Sequence, residues 1–252
     1  MHVWAIADLH LSFGVQDKSM DYFGPAWAGH AEKIVGHWQR LIKPDDLVLI
    51  PGDISWAMRL EEAVPDLEWI HALPGTKVMI KGNHDYWWDS LSKMAKVLPP
   101  SIHVIQNNAF HWRDVSVAGA RLWDTSEYGF GQFVEYKENP KEKKKKDVDV
   151  AVQQDLAEKQ FVRELQRLEL SLKELKPDAK HKIAMTHYPP VGADMKPSRA
   201  SALLEKYGVQ TCVFGHLHNL KTGCSLFGEA RGIRYVLAAC DYVHFQPVPL
   251  VT

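Results

Sequence analysis

Apolar residues recur along the chain in short runs, and five of these runs break off at polar clusters of a particular kind. VWAIADLH (3–10), LVLIPGD (47–53), KVMIKGNHD (77–85), KIAMTHYPP (182–190) and TCVFGHLH (211–218) each read as a buried strand that stops at carboxylate, imidazole or amide side chains. IHVIQ (102–106), VSVAGA (115–120) and RYVLAA (234–239) have the same β-like content without such endings and are expected to complete the sheets as scaffold. Helical spacing lies between the strands. Ile34, Trp38 and Leu41 share one face, and Phe161, Leu165, Leu168, Leu172 and Leu175 repeat by four and three until Pro177 stops the pattern. Strands alternating with helices predict an α/β architecture.

Length and composition narrow this picture without redirecting it. At 252 residues, 46% apolar and 24% charged, the chain has ordinary globular usage and enough apolar surface for one sizeable core, so a single domain over 1–252 is expected. The segment EYKENPKEKKKKD (135–147) is charged and of low complexity; it marks a solvated, mobile insertion near 127–147. Its lysines read more simply as a solvated loop than as a nucleic-acid contact. The net charge of -1 gives no general attraction to nucleic acid or to an anionic membrane, so neither is indicated as a partner, although a local basic patch could still touch nucleic acid. Cys212, Cys224 and Cys240 are few, odd in number and not in metal-knuckle spacing, as expected of reduced thiols. With no signal-peptide pattern and no run approaching eighteen apolar residues, a cytoplasmic protein is expected; oligomeric state stays open.

The candidate chemistry sits at the five strand ends: Asp8 and His10; Asp53; Asn83, His84 and Asp85; His187; His216 and His218. Ligands of α/β sheets bind beyond the carboxyl ends of strands, where residues distant in sequence converge. On an extended chain, residues two apart point to the same side, so Asp8 with His10, and His216 with His218, are expected to chelate as pairs. Carboxylate, imidazole and amide oxygen without thiolate suit divalent Mn, Fe or Zn. The set exceeds what one ion needs, which predicts two ions about 3.5–4 Å apart sharing a carboxylate. Any one of the 13 histidines alone reads as an ordinary core or surface residue, and His2, His30, His37, His71, His103, His111, His181 and His244 keep that reading. Gly82 is expected to serve a turn, with Gly52 and Gly215 allowing close backbone approach.

The blocks ADLH, PGDIS, KGNHD, THYPP and FGHLH, in this order over residues 6–218, resemble the calcineurin-like metallophosphoesterases. The second block departs from many members in carrying Trp56 where they have Asp. The resemblance implies a four-layer α/β/β/α sandwich with two central mixed sheets. It implies that Asp8, His10, Asp53 and His218 hold one divalent ion and that Asp53, Asn83, His187 and His216 hold the other. It further implies hydrolysis of phosphomono- or phosphodiesters by a metal-bridging hydroxide, with His84 protonating the leaving oxygen and Asp85 orienting His84. The alternative is a non-catalytic interaction module, which would be expected to lack some ligands or the acid histidine. Weaker candidates surround this set. Trp56, Trp87 and Trp88 could wall the pocket or simply pack, and Arg121 or Arg199 could offer a cation to substrate phosphate. The helix near 150–176 has one apolar stripe, which core packing explains better than a lid.

Overall fold

The computed structural model describes residues 1–15, 18–135 and 150–251. In chain order the elements are β1 (Val3–Ala5), α1 (His30–Leu41), β2 (Leu47–Ile50), α2 (Leu60–Ala72), β3 (Thr76–Met79), α3 (Leu91–Met94) and β4 (Ile102–Val104). They continue with β5 (Ala109–Trp112), β6 (Val115–Ala120), α4 (Val150–Lys173), β7 (His181–Thr186), α5 (Arg199–Lys206), β8 (Thr211–Phe214), β9 (Glu229–Ala230), β10 (Ile233–Leu237) and β11 (Val248–Val251).

Two mixed sheets result. The first has the order β11-β1-β2-β3-β4, parallel except for β11; the second has the order β5-β6-β7-β8-β10-β9, with antiparallel strands only at its edges. Parallel strands covered on both faces carry continuous apolar runs, and β2 shows why. Leu47 and Leu49 face the other sheet, whereas Val48 and Ile50 face the helices. Between the sheets Val3, Ala5 and Val78 meet Val117, Ile183, Met185 and Val213. Outside the first sheet, Ile34 and Trp38 of α1 and Leu67 and Ile70 of α2 pack on Val48, Ile50 and Met79. Outside the second, Leu168 and Leu172 of α4 and Leu204 of α5 cover Ala118, Ala184 and Phe214. The layers are helices, sheet, sheet, helices, as the motifs imply. The stripe on α4 is core packing.

The two sheets are stitched together beside the first motif. Ala7 N–H donates to Ala238 O at 2.8 Å and Cys240 N–H to Ala7 O at 3.1 Å, which brings the end of β10 against Asp8. The segment expected as a mobile insertion near 127–147 begins as packed chain. Tyr128 Oη donates to Pro189 O at 2.8 Å, Glu127 accepts from the Arg199 backbone at 2.9 Å, and Val134 bridges Leu220. Residues 136–147 lie outside the described residues. No helix among the described residues is long and apolar enough to cross a membrane.

A candidate dinuclear metal centre

Asp8 and His10 follow β1, Asp53 follows β2, Asn83 follows β3, His187 follows β7, and His216 and His218 follow β8. The backbone leaves extended geometry at once: φ is +60° at Asp8, +46° at His10, +52° at Asp53 and +71° at His216. Left-handed conformations cost an L residue about 1–3 kcal/mol and gather where function demands them. This corrects one geometric expectation. The chain is not extended at these pairs, and His216 and His218 do not chelate together but turn to different donor groups. Close approach needs glycine. A Cβ on Gly82 would overlap the Asp53 carboxylate, and one on Gly52 would sit 2.7 Å from His187 Nδ1.

Two groups of donors emerge. In the first, His10 Nε2 lies 3.5 Å from His218 Nε2, and His218 Nε2 lies 3.9 Å from Asp8 Oδ1. In the second, Asn83 Oδ1 lies 2.6 Å from His187 Nε2 and 3.0 Å from His216 Nδ1. Asp53 Oδ2 stands between them, 3.7 Å from His10 Nε2 and 3.5 Å from His187 Nε2. Asp8, His10 and His218 can together hold an ion, as can Asp8, Asp53 and His187.

The tautomers test whether divalent ions fit. His187 Nδ1 faces Pro51 O at 2.9 Å and His218 Nδ1 faces Asp241 Oδ1 at 2.8 Å; both partners can only accept, so each ring donates from Nδ1. A neutral ring then turns a bare Nε2 lone pair inward, and at His187 that lone pair confronts the Asn83 oxygen. Two acceptors at this separation require a positive species between them, which a metal ion supplies and, without metal, a proton must. Burial opposes a charge on His187, yet Asp53 and Asp8 raise it to about 9; Asp241 and Asp8 likewise overcome burial at His218, also to about 9. Burial, reinforced by Asp53, raises Asp8 to about 7 against the nearby imidazoles. The residues fit two divalent ions.

A pH dependence follows with a definite sign. Raised values mean that these groups hold protons in the metal-free protein at neutral pH, and that the stabilisation those protons give fades as pH climbs through the raised values. Metal must displace the same protons. Mn²⁺ affinity is therefore expected to rise with pH between about 7 and about 9. Calorimetric titrations in buffers of different ionisation enthalpy would show net proton release on binding, and a pH-independent affinity would refute this.

Asp241 escaped the sequence reading. It accepts from His218 Nδ1 and, at 2.9 Å, from Asn219 N–H, and so fixes the tautomer and direction of a candidate ligand. The available signal was that RYVLAA also runs into a carboxylate, one Cys further on. Asp241→Ala is expected to weaken metal binding about 10- to 100-fold, read by titration with Mn²⁺.

Asp85 requires a correction. Its Oδ1 accepts from Ile54 N–H (2.8 Å), Ser55 N–H (3.1 Å) and Trp87 Nε1 (2.9 Å), and its Oδ2 from Gly82 N–H (2.7 Å). No described partner is the His84 ring. The fully buried carboxylate pins the GNHD loop to the GDIS loop rather than orienting the imidazole. His84 is half-buried, its N–H donates to Asp53 Oδ1 at 2.8 Å, and its ring centroid lies 4.6 Å from Trp56 and 5.7 Å from His10. Trp56 also stacks on His10 at 5.0 Å and so walls the centre, whereas Trp87 is core. Arg199 is committed to Glu127 and Glu158 at the surface.

A sequence profile of the calcineurin-like phosphoesterases matches residues 1–220. The chain belongs to this family. Metal-dependent phosphoester hydrolysis is the family's activity in general, and its members generally bind two divalent ions. Among solved structures, a phosphopantetheinyl hydrolase from Mycobacterium tuberculosis is similar to this phosphoesterase with TM-score 0.51 at 14% identity, over 94% of this chain and 88% of that one. That similarity is one of fold. A protein of unknown function from Aquifex aeolicus (AQ665) has TM-score 0.49 and 14% identity over 98% of this chain and 95% of its own. The calcineurin-like phosphoesterase YfkN from Bacillus subtilis has TM-score 0.46 and 18% identity over 94% and 80%. No curated protein matches the sequence.

Proposed function

We propose that this phosphoesterase hydrolyses phosphomono- or phosphodiesters, with Asp8, His10, Asp53 and His218 holding one ion and Asp53, Asn83, His187 and His216 the other. The observation that carries the reading is the position of Asp53 Oδ2, between an imidazole nitrogen of each donor group. Manganese or iron, or zinc in their place, would supply a nucleophile from water near neutral pH and neutralise charge on the phosphoryl oxygens. His84 adjoins both groups and belongs to neither, which supports its role as the acid that protonates the leaving oxygen. Burial lowers its pKa and the imidazoles of His187 and His218 lower it further, whereas the negative charge of a bound phosphate acts in the opposite direction. The intact donor set favours an enzyme over a non-catalytic module. Unpaired Cys212, Cys224 and Cys240 support a reducing, cytoplasmic setting.

The deciding experiment compares p-nitrophenyl phosphate with bis-p-nitrophenyl phosphate on metal-stripped protein reconstituted with Mn²⁺. Turnover of either ester that depends on the metal is expected, and the preferred ester assigns phosphatase or phosphodiesterase. A protein that binds no transition metal under reconstitution and turns over neither ester overturns the reading.

A further inference from the structure

A cavity of about 390 Å³ opens at the carboxyl ends of β3, β4 and β6. Its walls include Lys81 after β3, Gln106 and Asn107 after β4, Arg121 after β6, and Glu164 and Arg167 of α4. Three cations face one internal carboxylate, because Asp89 at the rim is paired with Lys93 at 2.7 Å. Glu164 is 1% exposed, and its Oε1 receives Arg121 at 3.1 Å and Arg167 at 2.8 Å. If those pairs used up the positive charge, the cluster would be purely structural.

They do not. Arg121 Nε is buried with no hydrogen-bond partner among the described residues. Lys81, half-buried, makes no ion pair or hydrogen bond among them either. Arg121 Nε is closed off from solvent and its guanidinium lies over Trp123 at 4.5 Å, but the Lys81 ammonium drawn from water is costly, and an anion in the cavity beside it would offset that cost. Glu164 meanwhile holds the two guanidinium groups in place, which spares a ligand the cost of ordering them.

The cavity is coupled to the metal centre. Arg121 O accepts from His187 N–H at 3.1 Å and from Tyr188 N–H at 2.9 Å. Lys81 precedes Asn83 by two residues. The cations of the cavity are thus chain neighbours of two residues proposed to hold the second ion, His187 and Asn83.

We propose that this cavity binds a second anionic group of the substrate, so that the preferred substrate is a phosphoester carrying a further phosphate besides the one hydrolysed. The inference rests on the phosphoesterase reading above. A guanidinium N–H beside an ammonium suits phosphate, since Arg supplies a directed donor and Lys a point charge.

The test assays Mn²⁺-reconstituted protein on α,ω-alkanediol bisphosphates of graded chain length against the matching alkyl monophosphates, and titrates metal-free protein with inorganic phosphate. Charged hydrogen bonds of this kind predict a preference for the best bisphosphate of about tenfold or more in kcat/KM. Lys81→Met and Arg167→Gln should each cut that preference about tenfold, and Lys81→Met should weaken phosphate binding to the metal-free protein by a similar factor. Thermal melts confirm that the variants fold. Equal use of both ester types by the wild type, or a preference untouched in both variants, overturns the inference and leaves the hydrolase reading standing. Phosphate binding without ester preference also overturns it, since the anion site would then be independent of substrate. Turnover of neither ester type overturns the hydrolase reading itself, and this inference with it.

Discussion

His84→Ala is expected to lower kcat on alkyl phosphoesters by about 10²- to 10⁴-fold while both ions stay bound. An alkoxide is a poor leaving group, and most of its stabilisation in the transition state comes from the proton it receives. The His84 ring borders His10 and Trp56, and only its backbone N–H engages Asp53, so truncation removes the proposed acid without removing a proposed ligand. p-Nitrophenolate leaves with little need of a proton, so the loss on that ester should be much smaller. Metal content by elemental analysis and kcat on the two leaving groups together decide the point. Loss of an ion in this variant would place His84 among the ligands.

Asp85→Ala should destabilise the fold by about 3–5 kcal/mol, comparable to stripping one partner from a buried charged network. Three backbone N–H groups and the Trp87 indole lose their common acceptor at a site with 0% exposure. Asp85→Asn should cost less, about 1–3 kcal/mol, because an amide keeps one acceptor oxygen for three of these donors but turns its N–H toward Gly82 N–H. Burial together with the Asp53 charge raises Asp85 to about 6, so the amide also relieves a like-charge repulsion. Both variants should bind Mn²⁺ more weakly, since the released loops carry Asp53 and Asn83. Thermal denaturation and metal titration measure the two effects. A variant with unchanged melting and metal affinity, altered only in the pH profile of turnover, would restore the imidazole-orienting role and remove the stapling one.

The residues of the candidate centre could be picked out in the sequence because polar side chains in a parallel sheet gather where strands end. ADLH, PGDIS, KGNHD, THYPP and FGHLH are short and local, and each carries its candidate ligand within a few residues of its apolar run. What failed was local backbone geometry. Spacing two apart implied extended pairs, whereas φ near +50° to +70° at Asp8, His10, Asp53 and His216 turns each side chain separately. Asp241 was hidden because its role depends on Ala7 pairing with the end of β10, a contact between two sheets that no window of sequence displays. Two further elements, not read from the sequence, contain proline. Pro65 sits inside α2, and Pro249 lies in β11, at a sheet edge where a missing N–H is tolerated.

The pairing of β11 with β1 has a consequence for how the chain is made. Val3 and Ala5 find their antiparallel partners only at Val251 and Val248. At about 5–20 residues per second, a nascent chain would carry one open edge of β1 for roughly 10–50 s before its last neighbour is synthesised. For most of that interval Asp8 also lacks His187 and His218, so the two donor groups cannot assemble early. An unpaired parallel strand of apolar residues is a template for aggregation. The vulnerable species is thus the growing polypeptide, and expression yield should respond to chaperone supply and translation rate more than to metal in the medium.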